Sequence, residues 1–144
     1  MRLAKSISLL LLSAICLSAC ATQSTGSTSE NQASQKSLER VELAPGECGM
    51  FGWTSDEKRS FVFYADRVVA KFVPEDQIVE LSAQAAFPSL AYLDPLGRPV
   101  TINLGVSEKI VGGLRYPSSS IRSETDEGWE RIIPVSIVRA CQPR

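Results

Sequence analysis

Four cysteines, Cys16, Cys20, Cys48 and Cys141, and not one histidine define the chemistry open to this 144-residue chain. Without imidazole there is no Ser-His-Asp or Cys-His nucleophile, and the commonest metal ligand is missing. Chemistry resting on carboxylates, Lys, Tyr or Ser remains. The carboxylates placed in turn-like stretches are Asp56, Glu57, Asp94, Asp126 and Glu127. Two of them facing across a cleft would suit glycoside hydrolysis. Acidic residues in turns are ordinarily just solvated, however, and a glycosidase normally needs a larger scaffold to carry its cleft. The chain is therefore read as non-enzymatic, with no catalytic residue, no metal site and no cofactor.

The N-terminus has the three-part layout of a secretory signal. Arg2 and Lys5 supply positive charge, Ile7 to Cys16 is rich in Leu and Ile, and the small residues Ser18 and Ala19 precede Cys20. The apolar stretch from Ile7 to Ala19 spans 13 residues, short of the ~20 a membrane span requires. The tetrad Leu17-Ser18-Ala19-Cys20 resembles the lipobox of bacterial lipoproteins. That resemblance implies a diacylglyceryl group on the Cys20 thiol, cleavage before Cys20 and acylation of the new amine with a fatty acid such as palmitate. Cys16 fits less well, since bulky Ile15 precedes it. Several acyl chains make attachment effectively permanent. Ala21, rather than Asp, follows the lipidated position. In the usual sorting pattern this implies the outer membrane, with the protein facing the periplasm.

Residues 21–46 are rich in Ser, Thr, Gln and Asn and have no apolar period. Such a stretch cannot bury enough surface to offset the entropy of ordering, so a disordered tether is expected, with a reach of ~30 Å. Leu38 to Leu43 is the one part of it with apolar spacing, suited either to a helical turn or to an added edge strand. Without residues 1–19, 13 basic side chains face 16 acidic ones. No basic stripe is interleaved with aromatics, which argues against nucleic acid as a partner.

The folded part is expected over residues 47–144, which hold all ten aromatic residues. Cys48 opens it and Cys141 closes it. An exported compartment is oxidising, and no Cys-x-x-Cys or His accompanies the pair, so a disulfide is expected. Closing a loop of about 90 residues is worth ~4–5 kcal/mol on the chain-entropy model. Strand-like segments recur about every ten residues: Gly49 to Thr54, Phe61 to Tyr64, Val68 to Val73, Gln77 to Leu81, Tyr92-Leu93, Val100 to Leu104 and Trp129 to Val138. Pro95-Leu96-Gly97-Arg98-Pro99 is a strong turn, and Pro134 suggests an edge or a bulge. Glu75 to Ala86 has room for one short helix. The pattern predicts an all-β fold, a small antiparallel sandwich or barrel closed by one disulfide.

Gly112 to Ser120, followed by Glu124 to Val135, is the stretch whose composition stands out. It reads as a β corner leading into a strand, or as a loop presenting Arg115, Tyr116 and Trp129 to a partner, these being the usual residue types of binding hot spots. Trp129 is the one of the three better suited to the core. The opening Cys48 to Thr54 and the close from Gly112 to Pro143 are similar to small exported bacterial proteins of unknown function. Gly113-x-Arg115-Tyr116 resembles a loop motif of the lipoprotein inhibitors of lysozyme, which are also small, disulfide-stapled and β-rich. The function expected is that of a membrane-anchored envelope protein, a non-enzymatic binding or structural module whose partner is an envelope protein or a cell-wall component. The other readings are a lysozyme-inhibitor-like protein and a small-ligand-binding β-barrel. If Cys20 carries the anchor, Cys20→Ser abolishes incorporation of labelled fatty acid and leaves the precursor uncleaved at this site. A wild-type chain that takes up no label contradicts the assignment.

Overall fold

A computed structural model describes residues 36–144. The expectations placed on the signal segment, on Cys20 and on the first part of the tether lie outside the described residues. Ten strands make up the domain, and there is no helix among the described residues. In chain order they are β1 (Cys48–Thr54), β2 (Phe61–Ala65), β3 (Ala70–Phe72), β4 (Val79–Glu80), β5 (Ser82–Ala83), β6 (Ala91–Leu93), β7 (Pro99–Asn103), β8 (Glu108–Ile110), β9 (Gly113–Glu124) and β10 (Glu130–Cys141). All of the pairings are antiparallel. The sheet order is β4-β3-β2-β1-β10-β9-β7-β6-β5, with β8 added against β9.

The two ends of that order, β4 and β5, are consecutive in the chain with only Leu81 between them. The sheet has therefore curled until its edges meet. Leu81 is buried, and its N–H donates to the Ala70 carbonyl at 2.8 Å. Of the two architectures expected, the protein is the barrel, nearly closed, and the chain itself joins the two edges where a ladder would otherwise run. On the opposite side of the ring the first and last strands pair, from Cys48↔Cys141 to Thr54↔Val135. The expected disulfide joins the outermost of these pairs, with a Cα–Cα distance of 3.9 Å.

The interior is occupied by side chains from around the ring. Met50, Phe63, Phe72, Tyr92, Val100, Ile102, Ile121, Val135 and Ile137 are all buried. Phe63 on β2 meets Tyr92 on β6 edge to face at 5.7 Å. β1 alternates small and large residues, which fixes two faces without saying which is inside. The structure puts the smaller face in. A Cβ on Gly52 would lie 2.9 Å from Ile137 Cδ1 and from Phe63 Cβ, so its neighbours already fill that space. Phe51 and Trp53 consequently point outward, where they stack with Phe61, and Phe51 also meets Tyr64.

This outer aromatic strip explains a departure at the N-terminal boundary. The tether was expected to run to residue 46, yet residues 36–46 lie against the barrel. Leu38 is buried and donates its N–H to the Phe61 carbonyl at 2.7 Å, and Val41 and Leu43 pack against the core. The segment forms neither the helical turn nor the edge strand considered for it. Nor is there a helix over Glu75 to Ala86, which holds a turn and the short β4 and β5. Pro134 sits in β10 one residue beyond the stretch paired with β1. Its carbonyl accepts from Ser55 N–H on the β1 side, so its absent N–H faces the same side, past the end of the ladder, at little cost.

The disulfide staples strands that are already paired, so it supports the barrel without defining its topology. Cys48→Ser/Cys141→Ser should keep the same far-ultraviolet circular dichroism and lose about 3–5 kcal/mol in urea unfolding. Two free thiols in the protein isolated from its native source, or unchanged stability in the double variant, contradict this.

Candidate functional site

One end of the barrel is built from three connections: residues 74–77 after β3, the β6–β7 turn and the β9–β10 turn. In the β6–β7 turn, Asp94 Oδ1 accepts the N–H groups of Leu96 and Arg98, each at 2.9 Å, and Gly97 takes the positive φ of 77° that the tight reversal requires. In the β9–β10 turn, Thr125 Oγ1 accepts from Trp129 N–H at 3.1 Å and Gly128 holds φ at 86°.

Arg98 ties the two turns together. Its Nε donates to Asp94 Oδ2 at 2.7 Å and its Nη1 to Asp126 Oδ1 at 2.8 Å. The Asp94 side chain is only 9% exposed, and Asp126 is largely in solvent. The first contact therefore carries more weight than the second. Burial works against ionisation of Asp94. The N–H of Arg98, the Arg98 guanidinium and the N–H of Leu96 outweigh it, and the carboxyl is held below the usual aspartate value. The third connection is secured by Arg131, which pairs with Glu75.

Between these connections lies a cavity of about 200 Å³. Phe72, Val79 and Val100 line it together with six carboxylates, Glu75, Asp76, Asp94, Glu124, Asp126 and Glu127, and only two cations, Arg98 and Arg131. Ser123 also lines it, and its Oγ is buried without a hydrogen-bond partner. The two locked turns carry large apolar side chains into solvent, Leu96 at 74% exposure and Trp129 at 73%. A tryptophan held in water on an ordered turn has no packing role, and this is the end of the molecule with the properties of a recognition surface.

The structure redistributes the residues singled out from the sequence. Gly113 to Tyr116 is not a loop. It belongs to β9, paired with β10 on one side and with β8 on the other. Arg115 points outward and pairs with Glu108, with Nη2 to Oε2 at 2.8 Å. Tyr116, opposite the buried Ile137, packs against the core. Trp129 is exposed where a core position was expected, and it stands beyond the far end of the β9–β10 hairpin, about nine residues of extended strand from Arg115, or roughly 30 Å. The three do not form one surface. Of the turn carboxylates, Asp94, Asp126 and Glu127 do gather around one cavity, whereas Asp56 caps the β1–β2 connection by accepting from the Thr54 hydroxyl at 2.7 Å and from Arg59 N–H at 3.1 Å. The sequence signal missed was Leu96: its turn was legible, but not its pairing through Arg98 with a turn 28 residues away.

Compared with protein-family models, curated proteins and solved structures, the chain matches none.

The Asp94–Arg98 clamp gives a stability term with a definite sign. Because the folded value of Asp94 lies below the unfolded one, its contribution is complete above about pH 4 and is lost as pH falls through the lowered folded value. Asp94→Asn should cost about 1–2 kcal/mol at neutral pH and flatten the loss of stability below pH ~4, measured by urea unfolding across the acid range. An acid limb identical to that of the wild type contradicts the clamp.

Proposed function

We propose that this is a non-enzymatic lipoprotein of the bacterial envelope, held at the outer membrane through lipid on Cys20 and facing the periplasm, whose clamped barrel end captures an envelope protein or a cell-wall component. The observation that carries the binding role is the exposure of Trp129 and Leu96, each on a turn held by its own side-chain-to-backbone hydrogen bonds, with Arg98 reaching from the one turn to Asp126 of the other. Pre-ordering two apolar anchors lowers the entropy cost of association. Six carboxylates against two arginines in the adjacent cavity make the complementary partner surface basic around an apolar centre. The interior, occupied by Phe63, Phe72, Tyr92 and their neighbours, favours this reading over a ligand held inside the barrel. The N-terminal motif supports the anchor, and the export it implies agrees with the disulfide.

Site-specific photocrosslinking in intact cells tests the surface. A probe at position 129 should trap a discrete partner, and a probe at Val111, on the β8–β9 turn at the other end of the hairpin, should not. Trp129→Ala should leave the melting temperature within a degree or two and weaken capture by about 2 kcal/mol, some thirtyfold. Equal capture from both positions, or a Trp129→Ala protein that unfolds, contradicts the proposal.

A further inference from the structure

Away from the clamped end, three departures from regular sheet geometry converge on the outer face of β1 and β10. The β1–β2 register shifts between Gly52 and Trp53. The β9–β10 register shifts between Val135 and Ile137, where Ser136 stands opposite the extra length of β9 that includes Pro117. In the β1–β2 connection Arg59 holds φ at 46°, the sole positive φ at a non-glycine among the described residues. A side chain with a Cβ is disfavoured in this left-handed conformation where glycine is not, and the residue that bears that cost here is an arginine bordering the cleft described next. Bulges re-aim side chains in the same way, and they concentrate beside functional sites.

All three border one open cleft of about 590 Å³, lined by Trp53, Ser55, Arg59, Arg115, Pro117 and Ser136 among others. Two arginines and no acidic residue are among the residues that line it. The carboxylate nearest in sequence, Asp56, is engaged with the Thr54 hydroxyl and the Arg59 N–H. Arg115 already holds a carboxylate through Nε at 3.2 Å and Nη2 at 2.8 Å, that of Glu108, on a surface where such a pair is worth little and exchanges readily. Trp53 stacks on Phe61 at 5.2 Å and carries the aromatic strip into a second groove of about 490 Å³ that shares Trp53 and Val138.

We propose that this cleft binds a glycan chain bearing carboxylates. The apolar face of a sugar ring lies on the Trp53 aromatic system. Its carboxylate is taken by Arg59 and Arg115, the latter releasing Glu108. The Ser55 and Ser136 hydroxyls meet sugar hydroxyls. A peptide added as a strand is disfavoured, because β1 and β10 are paired on both sides here and offer no free backbone edge. A bilayer surface is disfavoured too. Phe51, Trp53 and Phe61 are half-buried in a concavity, whereas the most exposed apolar side chains, Val68, Leu96, Val106 and Val111, lie elsewhere. This site is independent of the one at Trp129.

The chain's two tryptophans allow a direct test, since one marks each site. The chain with residues 1–19 removed and Cys20→Ser is titrated with tetragalacturonate and, separately, with neutral chitotetraose, following the indole N–H resonances. The expected result is movement of the Trp53 signal with the Trp129 signal unmoved, chitotetraose binding about tenfold weaker, and affinity falling with added salt. Arg59→Gly should weaken tetragalacturonate binding about fivefold or more while the melting temperature stays level or rises, and Glu108→Gln should strengthen binding. No response of Trp53 to either saccharide at millimolar concentration overturns the proposal. So does binding indifferent to Arg59→Gly, or a response at Trp53 to phosphatidylglycerol vesicles and not to tetragalacturonate. Movement of Trp129 alone also overturns it, and leaves the partner surface at the clamped end standing.

Discussion

The pairing of β1 with β10 is the contact on which the rest of the molecule depends. β10 runs between β1 and β9 and is the strand through which the two arms of the sheet, β1 to β4 and β5 to β9, are held in one ring. Without it the arms are joined only through Leu81. The pairing brings together residues some 80 to 90 positions apart, so its entropy cost is met only when both arms are formed and their inward side chains can interlock. Gly52 is where that interlock is tightest. The missing side chain admits Ile137 and Phe63, and in doing so it decides which face of β1 is inside. The disulfide at the end of the same ladder reinforces a seam that hydrogen bonding and packing already specify.

A nearly closed ring whose interior is occupied by side chains leaves function to the ends and the outer wall, and these differ in chemistry. The end formed by the β6–β7 and β9–β10 turns is rich in carboxylates around two exposed apolar side chains. The outer wall along β1 and β10 presents arginine beside aromatic rings. Opposite charges are thus kept apart on a scaffold only about a hundred residues long. In the turns that scaffold spends its polar side chains on internal geometry. Asp94 and Asp56 each hold a connection in shape, and Asp66 does the same after β2 by accepting from Val68 and Val69 N–H and from the Tyr64 hydroxyl.

Much of the fold was legible because alternation and turn chemistry are local. Phe61 to Tyr64, the Pro95–Pro99 turn with its flanking strands and the terminal Ile- and Val-rich strand all appear where those signals put them. β9 was not legible. Pro117 and the run Ser118 to Ser120 favour turns when taken alone, yet pairing with β10 and β7 draws them into a strand. There Ser119 settles its own polarity by donating to the Tyr116 carbonyl and accepting from Gly105 N–H. Trp129 defeats sequence reasoning for a related reason. Size and hydrophobicity argue for the core, but position on a two-strand turn overrides both. The candidate site was legible only in part, because the contact that makes it, Arg98 to Asp126, joins two turns that no local pattern connects.

Amide hydrogen exchange under native conditions tests the dependence on the seam most directly. If β1–β10 pairing is the last structure to yield, the amides it protects exchange only through global unfolding, with the free energy that urea denaturation gives, while those of β4 and β5 exchange through smaller openings. Exchange of the β1 and β10 amides at a lower free energy than those of the β6–β7 hairpin would contradict it, and would place the stability of this barrel in its other arm.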